Sequence, residues 1–151
     1  MSAFNSALLD MSHVHDRLWI GAYPEEHWLL PSLGIDTVYL CASERQHLPA
    51  TPGLTVVTLG FNDSPLTDVD WQALLAKAVT VSEHVAQFQG GILISCVQGI
   101  NRAPLMAGAV LHFLTGKSGA EIIRLLRVKR EGILTNKSFA DALGSLPSSD
   151  R

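Results

Sequence analysis

The run Ile92-Leu93-Ile94-Ser95 constrains the chain more than any other segment. It is a short apolar run without polar alternation, set between Gly90-Gly91 and Cys96. Such a run reads as a strand buried on both faces, the situation of a strand inside a mixed or parallel sheet. The segments around it alternate between strand-like and helix-like at short intervals. Arg17–Ala22, Ile35–Cys41 and Leu54–Gly60 are rich in β-branched and aromatic residues and are bounded by Gly, Pro and polar clusters, so they read as strands. The stretch "PEEHWLLPSLG" reads as a helical turn or short helix ending at Gly34.

From Thr67 the periodicity changes. Thr67 with Asp70 matches a capping box, and Trp71, Leu74, Leu75, Ala78, Ser82, Val85 and Phe88 recur at helical spacing, which predicts a helix over Asp68–Gln89 ended by Gly90 and Gly91. Three further helices are expected: Arg102–Leu114, one opened by Ser118 with Glu121 as capping partner, and one near Asn136–Leu146. The closing "PSSDR" reads as a frayed tail. Without internal repeats or linkers, the sum is a single α/β domain over residues 1–151. Its core spans about 16–146, with a short lead and a flexible C-terminal tail, and its central sheet is mixed, mainly parallel and flanked by helices.

A chain of 151 residues with 47% hydrophobic and 17% charged content can bury one core of its own. The formal charge of -3 provides no global basic field of the kind that nucleic-acid or membrane-surface binders use. Any anion must be held locally. The opening "MSAFNSALLDMSHVHD" has neither a basic nor an apolar leader region, and the longest apolar run, Ala103–Leu114, is broken by His112 and too short to cross a bilayer. Two cysteines without a secretion signal point to a reducing, cytoplasmic compartment, where a thiol is more often chemical than structural.

The chemistry is concentrated after the buried strand. Cys96 stands at its end, Val97, Gln98, Gly99, Ile100 and Asn101 form a short loop, and Arg102 opens the next helix. Successive N–H groups of a tight loop, together with a helix N-terminus, cradle an anion of phosphate size. Gly99 supplies the conformational freedom that such a loop needs. Arg102 offers a planar fork for two phosphate oxygens, and the same field favours a thiolate, the attacking form of cysteine.

"CVQGINR" resembles the Cys-x5-Arg signature of the cysteine-dependent protein tyrosine phosphatase superfamily, and the chain from Asp16 to Leu143 resembles its compact dual-specificity branch. "RLWIGAYPEEHWLLPSLGIDTVYLCAS" is similar to that branch's opening strand, helix and strand, and "TNKSFADAL" to its closing Asn-x-x-Phe helix. The resemblance implies a phosphocysteine mechanism without metal or cofactor. Cys96 is then the nucleophile, and Arg102 with the amides of Val97–Arg102 is the phosphate-binding set. Asp63, in "GFNDSPLTD" and just over thirty positions before Cys96, is the general acid. Read on its own, Asp63 could equally cap the following helix or shape the "NDSP" turn. A sulfurtransferase would carry a shorter Cys-to-Arg interval.

Two positions depart from the family pattern. Ser95 stands where the family has His, which predicts activity displaced to higher pH. Ala103 stands where it has Ser or Thr, which predicts slow hydrolysis of the intermediate, with Gln98 or Asn101 available to compensate. These departures keep a phosphate-binding pseudophosphatase, an interaction module, open as an alternative. "GINR" is similar to the Asn-Arg pair of RNA 5'-triphosphatases, a second alternative. The loop carries no cation besides Arg102, which favours a phosphorylated protein or small phosphomonoester as partner; the overall charge leaves no nucleic acid or membrane expected, and nothing in the sequence demands more than a monomer. Cys41 is either a redox partner of Cys96, as in some members of the superfamily, or a small core residue. The resemblance implies that Asn136 bonds main chain behind the loop. His112 reads as a satisfied core histidine, His13 and His15 as solvated, and Lys129 and Arg130 as solvated residues complementing a helix dipole.

Overall fold

The computed structural model describes residues 9–42 and 46–149. Five strands form one sheet in the order β1-β2-β5-β3-β4: β1 Met11–His15, β2 Leu18–Gly21, β3 Ile35–Leu40, β4 Thr55–Thr58 and β5 Gly91–Ser95. β1 is antiparallel to β2, and the other neighbours are parallel, so the sheet is mixed and mainly parallel as expected. β5 is central and buried at every position. Its registers, Ile94 beside Ile20 on one side and Tyr39 on the other, bring the C-terminal ends of β2, β5 and β3 to one edge.

The helices are α1 Asp68–Gln87, α2 Arg102–Thr115, α3 Gly119–Lys129 and α4 Lys137–Gly144. The Thr67 and Asp70 side chains form the reciprocal capping box of α1, with Asp70 N–H to Thr67 Oγ1 at 3.1 Å and Thr67 N–H to Asp70 Oδ2 at 3.3 Å. Ser118 caps α3 and Asn136 caps α4. Pro104 sits in the first turn of α2, where its missing N–H has no intrahelical acceptor to lose.

All four α-helices cover one sheet face. Ile92 and Ile94 of β5, Leu18 and Ile20 of β2, and Tyr39 of β3 face them, with Ala78 and Val85 of α1, Leu105 and Ala109 of α2, Ile122 and Leu126 of α3, and Phe139 and Leu143 of α4 in the same core. The alternate residues Leu93, Val38 and Leu40 turn to the opposite face, as the period of two in a strand requires. That face is closed by two single-turn 3₁₀ helices, His27–Leu29 and Pro31–Leu33, with Leu9, Leu30 and Leu48. The single short helix expected there is therefore split, because Pro31 begins a new turn after Leu30 and Gly34, at φ 83°, ends it. α2 and α4 approach closely at Gly108, where an added Cβ would lie 2.4 Å from Leu143 Cδ2.

Two expectations change. β1 was not anticipated: its buried residues, Met11 and Val14, lie three apart on opposite faces of the sheet, and a bulge between His13 and His15 interrupts its pairing with β2. α1 stops at Gln87, and Phe88 leaves the helix with extended ψ. In the tail, Ser149 N–H donates to Gly116 O at 2.8 Å; Asp150 and Arg151, like the first eight residues of the lead, lie outside the described residues. Among the described residues no helix is long and apolar enough to cross a membrane.

Phe139 is fully buried and its ring lies 6.2 Å from that of Phe61, on the loop between β4 and α1. Phe139→Ala is expected to lower unfolding free energy by about 3–5 kcal/mol, measured by urea denaturation.

Candidate active site

The strand edge delivers Cys96 to the base of a pocket of about 240 Å³ lined by Asp63, Cys96, Val97, Gln98, Ile100, Asn101 and Arg102. The pocket-lining residues singled out in the sequence thus converge, although Asp63 comes from the β4–α1 loop and the others from the β5–α2 loop and the first residue of α2. Cys96 N–H donates to Gly21 O at 3.2 Å, which carries the sheet pairing one residue past β5. Cys96 Sγ then accepts the Ala103 N–H at 3.3 Å. A main-chain donor therefore reaches the sulfur at the position where the resemblance led one to expect a hydroxyl.

The loop's conformation follows from where its carbonyls go. Val97 O accepts from Tyr23 N–H at 3.2 Å, Ile100 O from Leu134 N–H at 2.7 Å, and Asn101 O from Leu105 N–H within α2 at 3.0 Å. Gln98 O accepts from Arg130 Nη2 at 3.1 Å and Gly99 O from Arg130 Nε at 2.9 Å. A trans peptide points its N–H opposite to its C=O. Fixing these five carbonyls outward therefore aims the N–H groups of Gln98 through Arg102 at the pocket. Among the described residues, no N–H from Val97 to Asn101 donates to a protein acceptor. Gly99 sits at φ 69°, and a Cβ there would lie 2.5 Å from Gly21 C and 2.6 Å from Arg130 Nη2, so both conformation and space demand glycine.

Arg130 is the main correction to the sequence reading. Rather than being solvated, its side chain is 10% exposed and braced by Asp10 Oδ1 at 2.9 Å and Ser12 Oγ at 3.3 Å. No local signal distinguished it from the neighbouring Lys129, which is exposed. Leu134 is also outside sequence foresight. It adopts φ 59°, a left-handed conformation uncommon for leucine, and this carries its N–H to Ile100 O.

Ser95, fully buried, donates to Ala22 O at 3.0 Å and accepts from Gln46 Nε2 at 2.9 Å. Gln46 Oε1 accepts the Ala42 N–H at 3.0 Å. This chain ties the ends of β2, β5 and β3 together beneath Cys96, and Gln46 was not singled out in the sequence. Cys41 is fully buried on the helix-facing side, one residue beyond β3, with its N–H on Ser95 O at 2.8 Å. Burial pushes its thiol pKa well up, and the neighbouring Cys96 pushes it further, outweighing Arg102 and Lys77. Both cysteines are free thiols.

Arg102 is buried to 8% exposure, and its Nη1 donates to Phe61 O at 3.1 Å, drawing the β4–α1 loop onto the pocket. That loop is also held by Phe61 N–H on Cys41 O at 3.1 Å and by Leu66 N–H on Ser138 Oγ at 2.9 Å. Asp63 at its tip is exposed and does not cap α1. Its Oδ1 accepts from Asn136 Nδ2 at 2.8 Å, and its Oδ2 from Asn101 Nδ2 at 3.5 Å. The Asn136 side chain thus reaches Asp63 rather than loop main chain. The Asn136 N–H donates to Asn101 Oδ1 at 2.8 Å, and Asn101 also bonds Thr135 Oγ1 at 3.0 Å. With the side-chain amide so engaged, Asn101 does not compensate at the sulfur. His112 is satisfied, Nδ1 to Lys117 O at 2.9 Å, and His13 packs on Trp19 and bonds Asp16 O. Among the described residues no cluster of three or more His, Cys, Asp or Glu is placed to hold a metal ion.

The arrangement offers a sulfur at the base, convergent N–H groups and a guanidinium around it, and a carboxylate across the opening. Arg130→Met is expected to lower stability by about 2–3 kcal/mol through two stranded carbonyls. It should also weaken binding of inorganic phosphate or vanadate, read by calorimetric titration, whereas Lys129→Met should leave both unchanged.

No sequence-family profile matches the chain, and no curated protein matches it in sequence. Solved structures do. Human DUSP28 superposes with a TM-score of 0.74 at 20% identity, over 88% of this chain and 89% of that one. DUSP15 gives 0.76 at 16% identity, over 89% and 85%. A human tyrosine phosphatase-like serine/threonine/tyrosine-interacting protein gives 0.74 at 15% identity, over 89% and 93%. The chain has the fold of the compact dual-specificity phosphatases.

Proposed function

We propose that the protein is a cysteine-dependent phosphomonoester hydrolase of the dual-specificity type. The observation that carries this reading is the outward fixing of five successive carbonyls above a cysteine sulfur, with Arg102 and Asp63 at the same pocket. In the first step Cys96 thiolate attacks phosphorus in line, an S–P bond forms, and the P–O bond to the leaving group breaks. Asp63 supplies a proton to the departing oxygen. The N–H groups of Gln98–Arg102 and the Arg102 fork hold the equatorial oxygens throughout. In the second step water attacks phosphorus, Asp63 takes its proton, and the S–P bond breaks to return the thiolate. The leaving thiolate is met by Ala103 N–H alone at that position, without a hydroxyl. A phosphorylated protein side chain or a small phosphomonoester suits a pocket whose lining, among the described residues, carries no cation besides Arg102.

A second reading is a phosphate-binding interaction module. Ala103 favours it, and so does the likeness to a tyrosine phosphatase-like interacting protein. Rapid mixing with para-nitrophenyl phosphate separates the two, with Cys96→Ser as blank. A burst of nitrophenolate stoichiometric with protein, then slow turnover, is expected; no Cys96-dependent release at any pH would favour the binding module.

Cys41 joins this reading as a core thiol first. A disulfide with Cys96 would need peroxide to oxidise Cys96 to a sulfenic acid, then attack by Cys41 sulfur with loss of water. Burial keeps Cys41 protonated and opposes that attack. Peroxide near neutral pH is expected to oxidise Cys96 without a Cys41–Cys96 peptide in non-reducing mapping. Recovery of that peptide would make Cys41 a redox partner.

A further inference from the structure

We propose that a cleft on the far side of the Asp63 loop is a second binding site, for a small monocarboxylate with an apolar body, and that its occupancy holds Asp63 at the phosphate pocket. The action on Asp63 rests on the hydrolase reading above; the binding does not. The chain between β4 and α1 is pinned to α1 at both ends. Lys77 Nζ donates to Leu59 O at 3.1 Å where the loop begins, and the capping box of Thr67 and Asp70 closes it where the helix begins. The middle is drawn the other way, by Arg102 Nη1 on Phe61 O at 3.1 Å and by Phe61 N–H on Cys41 O at 3.1 Å. The loop therefore bows away from the helix and leaves a cleft of about 220 Å³ behind it.

The helix wall is Asp70, Ala73, Leu74 and Lys77, whose spacing sets them on one stripe of α1. Phe61 faces Leu74 from the loop side and makes the body of the cleft apolar, while Asn62 and Ser64 add an amide and a hydroxyl. Its two charged groups stand two helical turns apart, about 10 Å along the axis. Asp70 Oδ2 already accepts the Thr67 N–H. Lys77 is half-buried and commits one ammonium donor to Leu59 O, and an ammonium has others to offer an oxyanion. A half-buried ammonium beside apolar walls selects a carboxylate on a compact hydrocarbon body. The cleft is smaller than the roughly 300 Å³ at which sites for larger ligands begin, which limits that body to about one ring.

The loop is a wall shared by two pockets. Asp63 lines the phosphate pocket, whereas its neighbours Asn62 and Ser64 line the cleft. A ligand that fits the cleft in this arrangement binds the conformation in which Asp63 reaches the phosphate pocket, and shifts the population toward it.

Benzoate is the probe, with benzamide as its uncharged counterpart. Titration followed by amide NMR in saturating inorganic phosphate, which competes for the other pocket, is expected to give saturable shifts at Asn62, Ser64, Ala73 and Lys77. Lys77→Met should weaken benzoate about tenfold and leave benzamide unchanged. Ala73→Phe, at an exposed helix position, fills the cleft without touching Lys77 and should abolish binding of both. With benzoate saturating the cleft, kcat for phenyl phosphate is expected to rise about twofold, and not to rise in Ala73→Phe or Asp63→Asn. Reading kcat, at substrate levels that keep benzoate out of the phosphate pocket, separates this effect from competition there. Shifts confined to Gln98–Arg102, equal affinity for benzoate and benzamide, or an unchanged or lowered kcat with the cleft filled overturns the inference and leaves the hydrolase reading intact. Saturable binding in the cleft without Cys96-dependent turnover in the unmodified protein overturns the hydrolase reading and the action on Asp63, while the binding site stands.

Discussion

The loop from Val97 to Asn101 has its shape because every carbonyl in it is bonded from outside the pocket. A segment with five N–H groups aimed at one point is electrostatically unfavourable unless something holds it, since the aligned dipoles repel each other without an anion between them. Tyr23 and Leu134 supply one main-chain donor each, and Arg130 supplies two nitrogens of a planar fork. A lysine ammonium could not reproduce the two parallel bonds of that fork. The rest of the site is arranged around this. Arg102 tethers the β4–α1 loop through Phe61 O, and the α3–α4 connection reaches both the loop and Asp63.

Beneath the loop, the departures from the family pattern have physical partners. The hydroxyl of Ser95 is smaller than an imidazole, and the buried amide of Gln46 occupies the polar role beside it, joining three strand ends. Each polar group in that network has a partner, which a buried position requires. Ala103 places no polar side chain in the pocket, and its backbone N–H lies on the sulfur instead. The floor is thus fully hydrogen-bonded through a different set of side chains from the one the resemblance implies.

The elements legible in the sequence were those with strong local determinants. β5 was readable from its unbroken apolar run, α1 from the Thr67 and Asp70 pair, and the Cys96-to-Arg102 loop from spacing and Gly99. What escaped were features whose cause is distant in sequence. Arg130 looks like any cation at a helix end until Asp10, Ser12 and two loop carbonyls surround it. Gln46 sits in a polar stretch, yet it is 2% exposed because three strands end against it. β1 buries Met11 and Val14, three apart and on opposite faces of the sheet, a spacing that shows no one-sided strand alternation. Asn136 was recognised as a structural residue, but its target could not be, since the distance from Asp63 along the chain carries no register.

The Asp10–Arg130 contact joins the first described strand to the end of the third helix, across most of the chain. The bracing of the loop carbonyls is therefore complete only when the outermost β1 edge and the helix layer are both in place. It has no counterpart in an unfolded or half-assembled chain. An oxyanion taken up by the loop would be a ligand of the native state alone, stabilising the fold by RT ln(1 + L/Kd), an amount set by its concentration L relative to its Kd. Occupancy of this one small loop is felt by the whole tertiary structure, from the sheet edge to the helix layer.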